Sequence, residues 1–241
     1  MGDTLKSLGF EVIPLQNAGK KQMVDAVTDF GNRLRKGGIG LFYYAGHGIQ
    51  VKGRNYLIPT DARIESESDV EFETVDAGRV LGKMEDAQNG LNIIILDACR
   101  DNPFARSFRT AEKGLARMDT PTGSLIAYST APGSVAADGT GRNGTYTRFL
   151  IEKITSSGLP IEQVLKQVRV AVMAETGRKQ VPWEASSLTG DFYFAASSGY
   201  QEEERSKPTP VPSAEPESGS LKIVLKPEVG CCGENQWEEL R

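Results

Sequence analysis

Two apolar runs constrain the chain more than anything else in it. They are Ile39-Gly40-Leu41-Phe42-Tyr43-Tyr44-Ala45-Gly46-His47-Gly48 and Leu91-Asn92-Ile93-Ile94-Ile95-Leu96-Asp97-Ala98-Cys99-Arg100. Each reads as a strand buried on both faces, the mark of a parallel sheet with helices above and below. Each also stops at a reactive side chain. The first ends on His47, the single histidine of the chain, and the second on Cys99. In open α/β sheets, ligands and chemistry gather at the carboxyl ends of the strands. Two neighbouring parallel strands would therefore set an imidazole beside a thiol at one edge, the pairing that a cysteine hydrolase needs.

The rest of the chain supports that sheet. Phe10–Leu15 reads as a short strand with Pro14 at its end or at a sheet edge. Residues 22–35 carry Met23, Val27, Phe30 and Leu34 at helical spacing, and Gly37-Gly38 stops them. Residues 50–59 suggest a small hairpin around Gly53. Thr74 is placed to cap a helix carrying Val75, Val80, Leu81 and Met84. Ser124–Ser129 is a further strand, and residues 146–154 are helical. Pro160 opens a helix with Ile161, Val164, Leu165, Val168 and Val172 on one face. Asp191–Ala195 is expected as a last strand. Strands alternating with amphipathic helices predict an α/β fold, a mostly parallel sheet with helices on both faces. No strong apolar strand precedes the helix expected at residues 3–8, so the domain, residues 1–197, is read as incomplete at its amino end. Residues 198–220, rich in Pro, Glu and Ser, read as an extended linker. Residues 221–241, with the run Leu221–Leu225, read as the start of a truncated downstream module or a tail.

Charge and cysteine usage exclude several functions. The formal charge is −4, with no basic block of the kind that tracks phosphates, so no nucleic-acid partner is expected. No apolar stretch approaches the ~20 residues needed to span a bilayer, so no membrane segment is expected. The first residues lack the apolar core of a leader, and three cysteines make no disulfide framework; both point to a reducing, cytoplasmic setting. One histidine with one nearby cysteine cannot satisfy zinc, and neither a metal nor an organic cofactor is called for. Gly46 and Gly48 flank His47, so a substrate backbone can approach closely. The Gly48 and Cys99 amides are then plausible donors to the oxyanion of a tetrahedral intermediate. Against this stands the bland alternative of a small buried cysteine and a satisfied core histidine.

The motif Ala45-Gly46-His47-Gly48, followed by Leu57-Ile58-Pro59-Thr60-Asp61-Ala62 and then by Asp97-Ala98-Cys99-Arg100, resembles the caspase-like clan of cysteine peptidases. Paracaspases and bacterial caspase-like proteins are the nearest in pattern, with metacaspases related. The resemblance covers most of residues 5–195. It implies a caspase-like three-layer sandwich with a largely parallel six-stranded sheet, endopeptidase activity on protein or peptide substrates, and His47 with Cys99 as the dyad. It also implies a first strand inside the sheet, ahead of the helix at residues 3–8, which this sequence does not supply. Asp97 stands where caspases carry a glutamine in the pocket for an acidic P1 side chain. A carboxylate there repels an acid and pairs with Arg or Lys; its plainer reading is a strand-end aspartate capping a loop. Asp138 is a second candidate for the same S1 pocket. Residues 100–122 read as a long polar, arginine-rich loop between two core strands and are expected to be protease-sensitive; by analogy with the caspase linker they would also be self-cleaved, with Arg106, Arg109 and Arg117 as candidate sites. Asp69, Glu71 and Glu73 read as a solvated acidic loop rather than a calcium site. A second copy in a homodimer is a further expected partner. Two other functions stay open: a caspase-like interaction module with little turnover, and another thiol amidohydrolase on a similar sheet.

Overall fold

The computed structural model describes residues 1–99, 114–131, 143–155, 158–195 and 220–226 of the 241-residue chain. The chain begins with α1 (Gly2–Ser7), β1 (Phe10–Gln16), α2 (Lys20–Leu34) and β2 (Ile39–Val51). Then come β3 (Arg54–Leu57), the short α3 (Val70–Glu73), β4 (Val75–Asp76), α4 (Ala77–Ala87) and β5 (Leu91–Cys99). The remaining elements are β6 (Ser124–Tyr128), α5 (Thr145–Ile154), α6 (Ile161–Glu175), β7 (Trp183–Ser186) and β8 (Ser220–Lys226). The main sheet runs β1-β8-β2-β5-β6-β7. Its neighbours are parallel except β7, which is antiparallel to β6. Strands β3 and β4 form a small antiparallel ribbon on the end of β2.

Alternation along the strands builds two apolar layers. Phe42, Tyr44, Ile94 and Leu96 face Met23, Val27, Phe30 and Leu34 of α2 and Val80, Leu81 and Met84 of α4. Leu41, Tyr43, Ile93 and Ile95 face the other way, onto Leu5 of α1, Leu150 and Ile154 of α5, and Val164, Val168 and Val172 of α6. Both faces of the central strands are thus covered, and the chain forms the expected three-layer α/β sandwich. Phe30, Leu34, Leu41 and Phe42 are completely buried; each such side chain contributes roughly 1.5–3 kcal/mol relative to exposure.

Two local expectations are corrected. The cap of α4 is Asp76, whose carboxylate accepts from the Gly78 N–H at 2.8 Å, and not Thr74, whose hydroxyl donates to the Val70 carbonyl. Residues 75 and 76 first pair with β3, which delays the helix start. The strand that closes the sheet beside β6 is β7, not residues 191–195. Phe192 and Phe194 instead pack on Phe10, with ring centroids 6.5 and 6.3 Å away, while Tyr193 makes an isolated bridge to Pro160.

The third correction is larger. Residues 221–225 are not set apart in a downstream module. The β8 backbone lies inside the sheet, parallel to β1 from Phe10↔Ser220 to Gln16↔Lys226 and parallel to β2 from Gly40↔Leu221 to Tyr44↔Leu225. The strand between β1 and β2 is thus supplied by residues 220–226. The linker expected at 198–220 lies outside the described residues apart from Ser220. Replacing Ile223 by proline removes a ladder donor between Ile13 and Phe42, leaving a buried acceptor unpaired at a cost of about 1–3 kcal/mol. The expected outcome is a fall in Tm of about 2–10 °C; an unchanged melting curve would place residues 220–226 outside the folded unit.

Candidate active site

Strand β2 serves two sheets. From Ile39 to His47 it pairs with β5, and from Gly48 to Val51 it pairs with β3. His47 is thus the last residue in register with β5, and its partner is Cys99, the last residue of that strand. The switch between sheets is clamped. The Ile58 N–H donates to the His47 carbonyl at 3.0 Å, and the Tyr44 hydroxyl donates to the same carbonyl at 2.7 Å and to that of Ile58 at 3.1 Å.

Backbone alternation aims the amides. The Ser129 N–H donates to the Leu96 carbonyl at 2.9 Å, so even residues of β5 face β6, and the Cys99 backbone faces β2. His47 turns its carbonyl to Ile58 on the opposite side, so the Gly48 amide turns back toward Cys99. A side chain at Gly48 would be tightly packed: a Cβ there would lie 3.1 Å from Leu115 Cδ2 and 3.2 Å from Ala98 Cβ. His47 is half-buried, and that burial lowers its pKa below the ordinary imidazole value, because desolvation penalises the imidazolium.

Asp97 shares a strand face with His47: its register partner is Ala45, two residues before the histidine. Its carboxylate is 8% exposed. The Thr147 hydroxyl donates to Asp97 Oδ2, and the Tyr43 hydroxyl is in turn bonded to Thr147 Oγ1. Gly144, the N-cap of α5, brings the start of that helix against the same oxygen, with a Cβ there 3.6 Å from Oδ2. The Tyr146 hydroxyl is buried beside this group; burial first, then the Asp97 charge, pushes its pKa above the usual phenol value. Tyr146 OH, Ser129 Oγ and Thr130 Oγ1 are buried without hydrogen-bond partners among the described residues. The carboxyl end of the sheet thus collects one buried carboxylate and several buried hydroxyls next to the His47–Cys99 register pair.

Other sequence candidates fall elsewhere. Asp138 lies outside the described residues. Asp69 accepts from the Ser66 N–H and hydroxyl and from the Glu65 N–H, Glu71 faces Arg54 at 3.8 Å, and Glu73 accepts from the Arg63 N–H. The segment expected as a polar loop is firmly held in its second half. Leu115 is buried, Ala116 exchanges two hydrogen bonds with the Asn55 side chain, and the Met118 N–H donates to the Tyr128 hydroxyl. Arg117 is exposed between these pinned neighbours, while Arg106 and Arg109 lie outside the described residues. No helix among the described residues is long and apolar enough to cross a membrane. Tyr43, Thr147, Tyr146 and Ser129 escaped the sequence reading. A tyrosine inside an apolar run reads as core, although its spacing of four from His47 marks the same strand face.

Comparison with known proteins identifies the family. The pattern of the caspase domain matches residues 1–193. The mucosa-associated lymphoid tissue lymphoma translocation protein 1 of Homo sapiens and its homolog in Mus musculus are each 29% identical to the chain over 153 residues. The match covers 62% of this chain and 18% of either relative, so the chain spans only a small part of the length of these proteins.

The close packing at the strand switch has a direct consequence. Gly48→Ala forces Leu115 or Ala98 to move, and overpacking of this kind costs about 1–3 kcal/mol. Thermal unfolding should show a Tm lower by about 2–10 °C. An unaltered Tm would mean that the site has space for a methyl group.

Proposed function

The chain belongs to the caspase-domain family, a caspase-like and paracaspase-related family of cysteine peptidases, and from that premise we propose that it is an endopeptidase whose dyad is His47 and Cys99 and which cleaves after Arg or Lys. The observation that carries the reading is the register pair of His47 with Cys99 at the carboxyl ends of two adjacent parallel strands.

The chemistry follows from the roles these groups can take. His47, kept neutral by burial, removes the Cys99 thiol proton as the sulfur attacks the scissile carbonyl carbon. In this reading the developing oxyanion is held by the amides of Gly48 and Cys99. When the tetrahedral intermediate collapses, the C–N bond breaks and the His47 imidazolium gives its proton to the leaving amine. A thioester remains on Cys99. Water then attacks that thioester with His47 as general base, and breaking the C–S bond returns the thiol and releases the new carboxyl terminus.

Asp97 supports the P1 assignment. It lies buried on the His47 face, two residues before Cys99, bonded by the Thr147 hydroxyl and near the buried Tyr146 hydroxyl. A basic P1 side chain entering there gains a charge-assisted hydrogen bond of roughly 1.5–3 kcal/mol, and an acidic one meets like charge in reduced dielectric. Asp138, by its place after β6 in the sequence, is proposed as a second acid of the same pocket. A homodimer and a cytoplasmic setting complete the reading.

Cys99→Ala and His47→Ala should each reduce kcat/KM to near background with little change in Tm, since the dyad acts as a unit. On a fluorogenic panel differing only at P1, Arg or Lys should be preferred over Asp by at least ~10³ in kcat/KM. Asp97→Asn should erase most of that preference. Cleavage after Asp, or Arg cleavage indifferent to Asp97→Asn, overturns the pocket.

The pH profile tests the histidine separately. Because burial favours neutral imidazole, protonating His47 takes more acid than usual, so the base form survives to lower pH. The acid limb of kcat/KM should have its midpoint below the ordinary value of 6.5. A midpoint at or above 6.5 would show that a negative charge, such as the Cys99 thiolate, stabilises the imidazolium.

A further inference from the structure

Three buried side chains from three separate elements form one hydrogen-bonded line: Tyr43 on β2, Thr147 in the first turn of α5, and Asp97 near the end of β5. All three are nearly inaccessible, at 1%, 2% and 8% exposure. The direction of the line follows from the donor inventory. An ionised carboxylate only accepts, so Thr147 spends its one hydroxyl proton on Asp97 Oδ2. The bond between Tyr43 and Thr147 must then run from the phenol to the Thr147 oxygen.

The arrangement fixes a charge in place. Asp97 Oδ2 is held by Thr147 and lies against the N-cap of the ten-residue helix α5, where negative charge is favoured. Tyr43 cannot turn freely, because its ring is packed in the layer formed with α5 and α6. Thr147 is therefore held from behind while it holds the carboxylate in front. Tyr43 also sits on the strand that carries His47, on the same face and four residues earlier. The line thus ties the proposed P1-binding carboxylate to both the β2 strand and α5.

We propose that Thr147 and Tyr43 are positioning residues for substrate specificity: they hold the Asp97 carboxylate in one orientation so that it can receive a basic P1 side chain. The inference rests on the P1 reading of Asp97 and deepens it. Neither residue touches the reacting atoms, and both act through Asp97. Their loss should weaken capture of a basic P1 group and leave the bond-making steps at Cys99 alone.

Four single variants and one double variant test this: Thr147→Val, which keeps the shape and removes the hydroxyl; Thr147→Ser, which keeps the hydroxyl; Tyr43→Phe; Asp97→Asn; and Thr147→Val combined with Tyr43→Phe. Each is assayed on peptides differing only in a P1 Arg or an uncharged P1 residue, with Cys99 alkylation by iodoacetamide followed by peptide mass spectrometry. Thr147→Val should raise KM for the Arg peptide and lower its kcat/KM by about 10- to 100-fold, the range for a hydrogen bond to a charged group. Its kcat, its turnover of the uncharged peptide and its rate of Cys99 alkylation should stay within about threefold of the parent, a margin well under one hydrogen bond. Thr147→Ser should restore most of the loss. Tyr43→Phe should act on the same parameter by about 3- to 10-fold, and the double variant should be no worse than Thr147→Val, because Tyr43 works only through Thr147.

The outcomes separate the two readings. If Asp97→Asn abolishes the Arg preference while Thr147→Val leaves it intact, the line has no positioning role and the P1 assignment survives. If neither changes the preference, the P1 assignment fails and this inference with it. An equal loss on both peptides that serine does not rescue makes Thr147 merely structural and overturns the proposal. Should Thr147→Val fail to fold, Tyr43→Phe decides: an unchanged KM for the Arg peptide refutes the line.

Discussion

Register pairs join β2 to β5 without interruption from Ile39·Leu91 to His47·Cys99, and the rest of the molecule is arranged around that seam. A slip of one residue would turn every side chain of one strand to the opposite face. Here that would drive Tyr43 and Leu41 into the α2–α4 layer and expel Phe42 and Tyr44 from it, so the seam has one acceptable register. Its outer end is fixed as well. The Tyr44 hydroxyl and the Ile58 N–H converge on the His47 carbonyl, and Gly48 fits only because Ala98 and Leu115 close against a missing side chain. The adjacency of the imidazole strand-end and the thiol strand-end is thus a by-product of core packing.

The sheet on the other side of β2 shows what a reading along the chain cannot see. β1 reaches β2 through β8, whose seven residues lie behind a long Pro-, Glu- and Ser-rich stretch. Locally, Leu221–Leu225 is an ordinary apolar strand, and its position after a linker makes a new module the economical reading. Nothing in the run itself says that its partners lie some 200 residues earlier. Strand pairing is decided by unmet hydrogen bonds and open faces elsewhere, which periodicity does not report. The error over residues 191–195 is of the same kind. Alternating aromatics look like a strand, but Phe192 and Phe194 alternate because they cover Phe10.

The site was legible to the extent that its residues break a local rule. His47 and Cys99 end apolar runs where helices would otherwise cover Val or Ile, and Asp97 puts a charge into a run whose interior is buried. Each is a conflict between the fold and the residue, and such conflicts mark functional positions. Tyr43 and Thr147 break no local rule. A tyrosine suits a buried strand, and a threonine suits the first turn of a helix. Only their meeting across separations of 104 and 50 residues reveals a shared task.

Stability and chemistry are divided along the length of the same strands. The middle of β2 and β5, Leu41–Tyr44 and Ile93–Leu96, is buried on both faces and carries the apolar burial that holds the layers together. The last residues of each strand give that up for Gly, His, Asp, Ala and Cys. Burying Asp97, a half-buried imidazole and unpartnered hydroxyls is costly in itself. The cost falls at the sheet edge, where a local loss does not propagate into the seam, and the clamps there (Tyr44 on the His47 carbonyl, Thr147 on Asp97) restrain the backbone and the charge separately. An apolar replacement for Asp97 would therefore be expected to leave the sandwich intact. Asp97 itself is held from within, by the Thr147 hydroxyl and by the start of α5, so its cost is met locally and not by the seam.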